Sequence, residues 1–538
     1  MNEAYNYQLL IKHILESGVN YAPKQEIVYR DKVRYSYTEF YERVHRLASA
    51  LEELGVKKGT KVAVLDWDSH RYLECYFAIP MMGAVLHTVN VRLSPEDILY
   101  TMQHADDEVV LVFRDFVPLM EKLKDKLPNV KNYVIMTDDA MPENTLTDIE
   151  YEEMLKNASS DYDFPDFDEN TMATLSYTTG TTGRPKGVWF THRKLVLHTL
   201  SGSVALAAYR SPLRLVLEKE VYMPLTPMFH VHAWGVPYMM FLLGHKHVYP
   251  GRYEPEMIVK LVLSEGVTIT HCVPTILQMI VDNIPEGLKF NGWKILIGGA
   301  KLPEGLAIKA REKGIITMSA YGMSETCPAL TGAFLKPHLL DLSEEEKTKI
   351  SVKTGIPFPL VYVRVVDEDM ADVPADGKTM GEVVTRAPWL TDTYLKDEEK
   401  TKELWRGGWL HTGDIAVVDE EGYITIVDRL KDVVKSGGEW ISTLTLENIL
   451  SLHPKVREAA VIGIPDEKWG ERPLAIVVPA EGVSEEEIRQ YLMEYVEKGT
   501  ITKWAVPDRV VFMNELPKTS VGKIDKKVLR KQFSEGLQ

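Results

Sequence analysis

Cysteine is scarce in this 538-residue chain. Cys75, Cys272 and Cys327 stand far apart and in no metal-ligand spacing. That excludes a disulfide framework and a zinc site, and it points to a reducing, cytoplasmic compartment. Excess positive charge is also lacking: 62 Lys and Arg stand against 78 Asp and Glu, for a net charge of −16. Nucleic-acid binding, which needs a basic face, is therefore not expected. Any anionic ligand has to be met by a local positive pocket. Residues Met1 to Gly18 lack the apolar run of a signal peptide. Internal repeats and low-complexity tracts are missing too. One stretch, Val221 to Leu243, contains no Asp, Glu, Lys or Arg. It does contain Pro224, Pro227, Pro237, His230 and His232, which a lipid-facing helix rarely combines. A buried pocket wall is expected there, and no transmembrane span. What remains is an ordinary globular composition, 45% hydrophobic and 26% charged, long enough for about three or four domain-sized units.

A Walker A loop is a further absence. That motif needs Lys followed by Ser or Thr, whereas Lys186 lies between Pro185 and Gly187. Yet Tyr177-Thr178-Thr179-Gly180-Thr181-Thr182-Gly183-Arg184-Pro185-Lys186-Gly187 concentrates hydroxyls and glycines around a cation. Glycines allow backbone N–H groups to approach a ligand closely, threonines add donors, and Lys186 adds charge. The combination fits a loop that holds polyphosphate.

Alternation of strand and helix signals implies parallel βαβ units. Ser36-x-x-Glu39 reads as a capping box before Phe40, Val44, Leu47 and Leu51 at helical spacing, with Gly55 as the stop. Strands are expected at 61–66, near 84–90 and at 109–113, with a helix starting at Ser94-Pro95-Glu96. The pattern resumes with strands at 267–273 and 294–297, a helix at 303–313 and a strand at 315–320. Ligands of open α/β sheets bind beyond the carboxyl ends of strands. The polyphosphate loop, Gly298-Gly299 and Tyr321-Gly322-Met323-Ser324-Glu325 all follow expected strands. After about residue 353 short strands replace the alternation, and from residue 433 onward a smaller α+β unit is expected.

A set of segments carries the chemistry. It comprises the loop at 177–187, Gly298-Gly299-Ala300, Tyr321 to Glu325, Trp409-Leu-His-Thr-Gly-Asp414, Asp428-Arg429-Leu-Lys431-Asp432, Lys435-Ser-Gly437-Gly438 and Pro517-Lys518-Thr-x-x-Gly522-Lys523. In order and spacing, across nearly the whole chain, the set resembles the adenylate-forming superfamily of acyl-CoA synthetases, luciferases and peptide-synthetase adenylation domains. Prokaryotic medium- to long-chain fatty acyl-CoA synthetases are the members it is most similar to. The resemblance implies a large N-terminal domain, residues 1–428, of two parallel-sheet α/β subdomains plus a small β-barrel. A hinge at 429–432 and a mobile α+β C-terminal domain at 433–538 follow. It implies ATP, Mg2+ and coenzyme A as cofactor and substrates, a small carboxylic acid as the other substrate, and a homodimer.

Residue roles follow from the same likeness. Thr178, Thr179, Gly180, Thr181, Thr182, Gly183 and Lys186 are expected at the phosphates, with Thr181 and Glu325 on magnesium. Gly299, Ala300, Ser319, Ala320, Tyr321, Gly322 and Ser324 are expected to line the nucleotide site. Asp414 and Arg429 are expected at the ribose, and Lys431, Lys435 and Trp440 near the nucleotide. Lys523, Lys186 and His230 are the expected catalytic groups, Lys431 the hinge, and Gly437 and Gly438 the coenzyme A tunnel. Taken singly, several have plainer readings: Glu325 as a carboxylate on a helix N-terminus, Asp414 as an Asx-turn residue, and Tyr321 as core. For the acid, Pro227-Met228-Phe229-His230-Val231-His232-Ala233-Trp234-Gly235 is the stretch to read. His230, Trp234, Gly235 and Gly299 are expected at an acyl pocket, with Trp234 as its gate. Methionines 239 and 240 suit an irregular apolar ligand or plain core packing. An acid–thiol ligase that forms AMP and acts on a medium- to long-chain fatty acid is the leading expectation. Short, hydroxylated or aryl acids are the alternative, and a regulatory protein that binds MgATP without chemistry is a rival of another class.

Overall fold

The computed structural model describes residues 5–178, 184–209, 219–437, 439–480, 482–518 and 524–534. The chain folds as two compact units, Met1–Val363 with Arg386–Leu410, and Arg364–Thr385 with His411–Gln538.

Two largely parallel sheets form the first unit. One has six strands in the spatial order Asn132–Met136, Val109–Phe113, Lys61–Leu65, Val85–Thr88, Met172–Tyr177 and Gly187–Thr191. All neighbours are parallel except the last two, which form a hairpin. Every residue of Val109–Phe113 is buried, as in strands covered by helices on both faces. The expected capping box forms at Ser36 and Glu39 and opens a helix over Tyr37–Glu53 that buries Phe40, Val44, Leu47 and Leu51. Gly55, at φ +86°, follows its end. Ser94 caps Pro95–Ala105 by accepting the Asp97 N–H.

The other sheet has nine strands, in the order Ile356–Pro357, Ala329–Gly332, Ile315–Gly322, Trp293–Ile297, Ile269–Cys272, Val221–Pro224, Lys246–Tyr249, Glu26–Tyr29 and Val33–Ser36. From Ile315–Gly322 to Glu26–Tyr29 the neighbours are parallel, and antiparallel pairs close both edges. The strand expected to end at Ala320 runs to Gly322. Tyr321 and Gly322 outlast the parallel neighbour but still pair with Thr331 and Ala329 on the other side.

The uncharged stretch folds as the strand Val221–Pro224, a tight turn and the helix Val236–Leu242. That helix sits in the main core, where Phe241 stacks on Tyr37 at 4.1 Å and Tyr238 meets Phe77 edge-on at 5.3 Å. Among the described residues no helix is long and apolar enough to cross a membrane.

Where a small β-barrel was expected there is a five-stranded sheet, Tyr362–Val366, Gly381–Arg386, Trp409–Val418 and Trp405–Arg406, with Ile424–Arg429 on Trp409–Val418. The second unit holds a sheet of Glu439–Ile441, Val434–Ser436, Gly470–Pro479, Val456–Asp466 and Arg509–Phe512. The helices Thr443–Ser451, Glu485–Glu497 and Lys526–Ser534 accompany it, which makes it the expected α+β arrangement. Ser484 caps the second of these through the Glu487 N–H.

Candidate active site

In the first unit the chemistry-bearing residues sit at carboxyl ends of parallel strands. The stem of the 178–186 loop continues the hairpin pairing. Thr178 N–H donates to the Lys186 carbonyl at 3.0 Å, and Lys186 N–H donates to Thr178 Oγ1 at 3.2 Å. The hydroxyl of Thr178 thus serves the stem as an acceptor. Beside it the Lys186 ammonium lies 4.5 Å from the centroid of the Tyr394 ring. The Tyr394 hydroxyl donates to Glu325 Oε1 at 2.6 Å. One phenol ring therefore carries a cation on its face and a carboxylate at its hydroxyl end. Burial pushes the Tyr394 phenol far up, and the neighbouring Glu325 adds to the shift, so the hydroxyl stays a donor. Glu325 is buried in a 3-10 turn, Ser324–Thr326, just beyond the strand Ile315–Gly322.

Gly298-Gly299 follows the strand Trp293–Ile297. A Cβ on Gly298 would stand 2.9 Å from Trp234 Cη2, and one on Gly299, at φ +75°, would stand 3.1 Å from Val273 Cγ1. The indole of Trp234 therefore rests where only glycine leaves room. It reaches that place through an unusual backbone. Val231, His232, Ala233, Trp234 and Gly235 all have positive φ, between 41° and 71°. A left-handed run costs L-residues about 1–2 kcal/mol each, so other contacts have to hold it. They lie just upstream. Asp68 Oδ1 accepts the Met228 N–H at 2.8 Å, Tyr76 donates its hydroxyl to the Met228 carbonyl, and Thr88 Oγ1 donates to the Phe229 carbonyl at 3.0 Å. Tyr253 donates to the other oxygen of Asp68 at 2.5 Å. Half-buried His230 opens the turn, its carbonyl accepting the Trp234 N–H at 3.4 Å. His232 is fully buried against Tyr76, Phe190 and Tyr238, and burial lowers its pKa to about 3, so it stays neutral.

In the second unit Asp414 and Arg429 face each other across paired strands, Arg429 Nε lying 2.7 Å from Asp414 Oδ1. Asp414 is 2% exposed and its N–H donates to Thr412 Oγ1. Lys431 lies in the turn that follows. Burial lowers its pKa, and Arg429 and Arg530 act in the same sense against Asp432. Lys435 and Trp440 are cross-strand partners, the ammonium 5.0 Å from the ring centroid. Gly437, at φ +60°, donates its N–H to the Trp469 carbonyl at 2.8 Å, and a Cβ there would meet Trp469 Cε3 at 3.1 Å.

Within the first unit a lysine at the loop stem and a buried acid meet on one phenol ring, and within the second a buried aspartate pairs with an arginine across two strands. The sequence profile of AMP-binding enzymes matches residues 15–395, and that of the AMP-binding enzyme C-terminal domain matches residues 445–523. The chain belongs to the AMP-binding enzyme family. This AMP-binding enzyme is 44% identical to a long-chain-fatty-acid–CoA ligase of Thermus thermophilus, over 98% of its own length and 96% of the relative's. It is 39% identical to a 3-methylmercaptopropionyl-CoA ligase of Ruegeria lacuscaerulensis, covering 98% of both chains. Among solved structures, a fatty acyl CoA synthetase of Mycobacterium tuberculosis matches with a TM-score of 0.73 at 27% identity, covering 98% of this chain and 99% of the other.

Several expected site residues of the AMP-binding enzyme lie outside the described residues: Thr179, Gly180, Thr181, Thr182, Gly183, Gly438 and Lys523. Ser319, Ala320, Tyr321, Gly322 and Ser324 line the end of one strand and the turn after it, and buried Ser319 Oγ has no hydrogen-bond partner among the described residues. Gly299 and Ala300 are exposed at the neighbouring strand end. For magnesium the donor chemistry fits. Glu325 supplies hard oxygen, one of its two oxygens is engaged by Tyr394, and no larger His, Cys, Asp or Glu cluster occurs among the described residues. That suits an ion held mostly by phosphate oxygens and water. Two residues escaped the sequence reading. Asp68 sits just past the strand Lys61–Leu65, a position the strand-end rule flags. Tyr394, in Thr393-Tyr394-Leu395, carries no motif signal at all.

Proposed function

We propose that this enzyme is an ATP-dependent fatty acid–CoA ligase. In the first half-reaction the carboxylate of a medium- to long-chain acid attacks the α-phosphorus of ATP, and pyrophosphate leaves. In the second, the thiolate of coenzyme A attacks the acyl carbon of the acyl-adenylate, and AMP leaves. The barrier to the first step is charge gathering on phosphoryl oxygens, so positioned positive charge does much of the catalysis.

The observation that carries this reading is the joining of Lys186 and Glu325 through Tyr394 at the stem of the phosphate loop. In this assignment Lys186 and the loop hold the β and γ phosphates, and Lys523 meets the acid and the α-phosphate. Asp414, paired with Arg429, accepts the ribose hydroxyls, and Tyr321 gives a face to adenine. Glu325 and Thr181 hold magnesium, which supplies charge neutralisation to the phosphates when bound. Trp234, His230, Gly235 and Gly299 border the acyl group, and the half-buried indole of Trp234 packed on Gly298-Gly299 supports an aliphatic acid. Residues 1–428 act as the adenylation domain and 433–538 as the mobile one. A hinge at 429–432, centred on Lys431, exchanges Lys523 for the coenzyme A-facing Gly437-Gly438. A cytoplasmic homodimer completes the proposal.

The Thermus relative's name supports a long-chain acid, whereas the Ruegeria relative's name supports a short one. AMP release with coenzyme A, measured over acids from acetate to palmitate with aryl acids included, separates the two. A maximum at medium or long chains is expected. A maximum at short or aryl acids replaces the fatty acid with the alternative, and no AMP with any acid overturns the ligase.

A further inference from the structure

The segment 391–395 touches both halves of the phosphate site. Thr391 N–H donates to the Glu325 carbonyl at 2.9 Å, and Leu395 N–H donates to the Gly187 carbonyl at 2.8 Å. Tyr394 lies between them in the chain and forms an isolated bridge to Val188. Its ring is 5% exposed. The bond it donates to Glu325 Oε1 is the only side-chain hydrogen bond of that carboxylate among the described residues. A glutamate's terminal torsion is broad and two-fold, so an unbonded carboxylate would turn freely. A buried donor on one oxygen fixes that plane and presents the other oxygen in a set direction.

We propose that Tyr394 is a positioning residue for metal binding: its hydroxyl orients Glu325 so that the other carboxylate oxygen meets the divalent cation that accompanies ATP. This rests on the assignment of Glu325 as a magnesium ligand. The phenol also serves the loop, since the same ring carries the Lys186 ammonium on its face. Removing only the hydroxyl leaves that contact in place, so the two roles of the ring can be told apart.

The test uses the full-length enzyme, Mn2+ as the probe, and an ATP analogue with a methylene bridge between the α and β phosphorus atoms. Free Mn2+ is read by electron paramagnetic resonance, and affinity for the metal-free analogue is read by calorimetry. Tyr394→Phe is expected to weaken Mn2+ about tenfold, the size of one charge-assisted hydrogen bond, and to leave metal-free binding unchanged. Glu325→Gln is expected to remove tight Mn2+ binding. In the Glu325→Gln background, Tyr394→Phe should have no further effect on the metal, and that double variant leaves no buried carboxylate short of its donor. If Tyr394→Phe binds Mn2+ like the parent while Glu325→Gln does not, the positioning role is overturned and the Glu325 assignment stands. An equal loss from Tyr394→Phe in both backgrounds also overturns it, because the effect then bypasses Glu325. Parental Mn2+ binding by Glu325→Gln overturns the assignment on which the proposal rests.

Discussion

Replacing Asp68 by Asn isolates one buried proton. Burial pushes the carboxyl of Asp68 up to about 7, and neighbouring Asp66 adds to this, while Tyr253, the Met228 N–H and Arg92 oppose it. In the unfolded chain the same group titrates near 3.9, as aspartates ordinarily do. The sign follows from where the proton is held more tightly, which is the folded state. The contribution of Asp68 to stability is therefore full below about pH 4 and is lost as pH rises through about 7. Between about pH 5 and about pH 8 the loss comes to about 2.5 kcal/mol by linkage. Asn at this position does not titrate. Its oxygen still accepts the Met228 N–H, and its amide donates to the Tyr253 hydroxyl oxygen, so the loop that leads to His230 and Trp234 stays anchored. Asp66 is also pushed up to about 7, but it titrates in both proteins and largely cancels in the difference. Urea unfolding of both proteins at the two pH values measures the effect. The stability of Asp68→Asn should gain on the parent by about 2.5 kcal/mol from the lower pH to the higher. A difference that stays flat with pH would falsify the raised proton affinity. Asp68→Ala should behave otherwise. It strands a buried N–H and a hydroxyl, at about 1–3 kcal/mol each. It should also raise the KM for the acid, which Asp68→Asn should leave alone.

Three further outcomes are expected. Lys523→Ala should abolish acid-dependent pyrophosphate exchange yet still make thioester from supplied acyl-adenylate, and equal loss of both steps would refute a two-conformation cycle. Gly437→Val places a branched side chain at φ +60° against Trp469, with strain of about 1–2 kcal/mol. It should slow thioester formation far more than pyrophosphate exchange, and equal slowing would remove the coenzyme A tunnel from this surface. Trp234→Ala uncovers Gly298-Gly299, so acid preference measured by AMP release should broaden in chain length, and an unchanged preference would mean the indole is no gate.

The sheets of the first unit were readable because buried parallel strands are short apolar runs between helix caps, and Ser36, Ser94 and Ser484 mark those caps by chemistry. The strand ends carrying Thr178, Gly298 and Glu325 were readable for the same reason, since polar or glycine-rich residues stand out after apolar ones. Tyr394 was not. Its role depends on a contact with Glu325 across 69 positions of chain, and nothing local to a tyrosine encodes that. The left-handed turn was hidden as well. Left-handed backbone is usually announced by glycine or asparagine, and here only Gly235 stands among Val231, His232, Ala233 and Trp234. The chain just before it is held from outside by Asp68, Tyr76 and Thr88, which lie more than a hundred positions away.

With Trp234 as the proposed gate of the acyl pocket, that turn would bear on how quickly an acid is admitted. A right-handed alternative would need five residues to invert together and the anchored Met228–Phe229 peptide to let go. Backbone rearrangement on that scale belongs to microseconds or longer, whereas a side-chain rotamer flip takes picoseconds to nanoseconds where there is room for it. The rigid frame leaves the indole's own two torsions as the motion available for opening. Admission would then keep pace with diffusion rather than limit turnover, and acids would be sorted by the energy of one rotamer instead of by the rate of a lid.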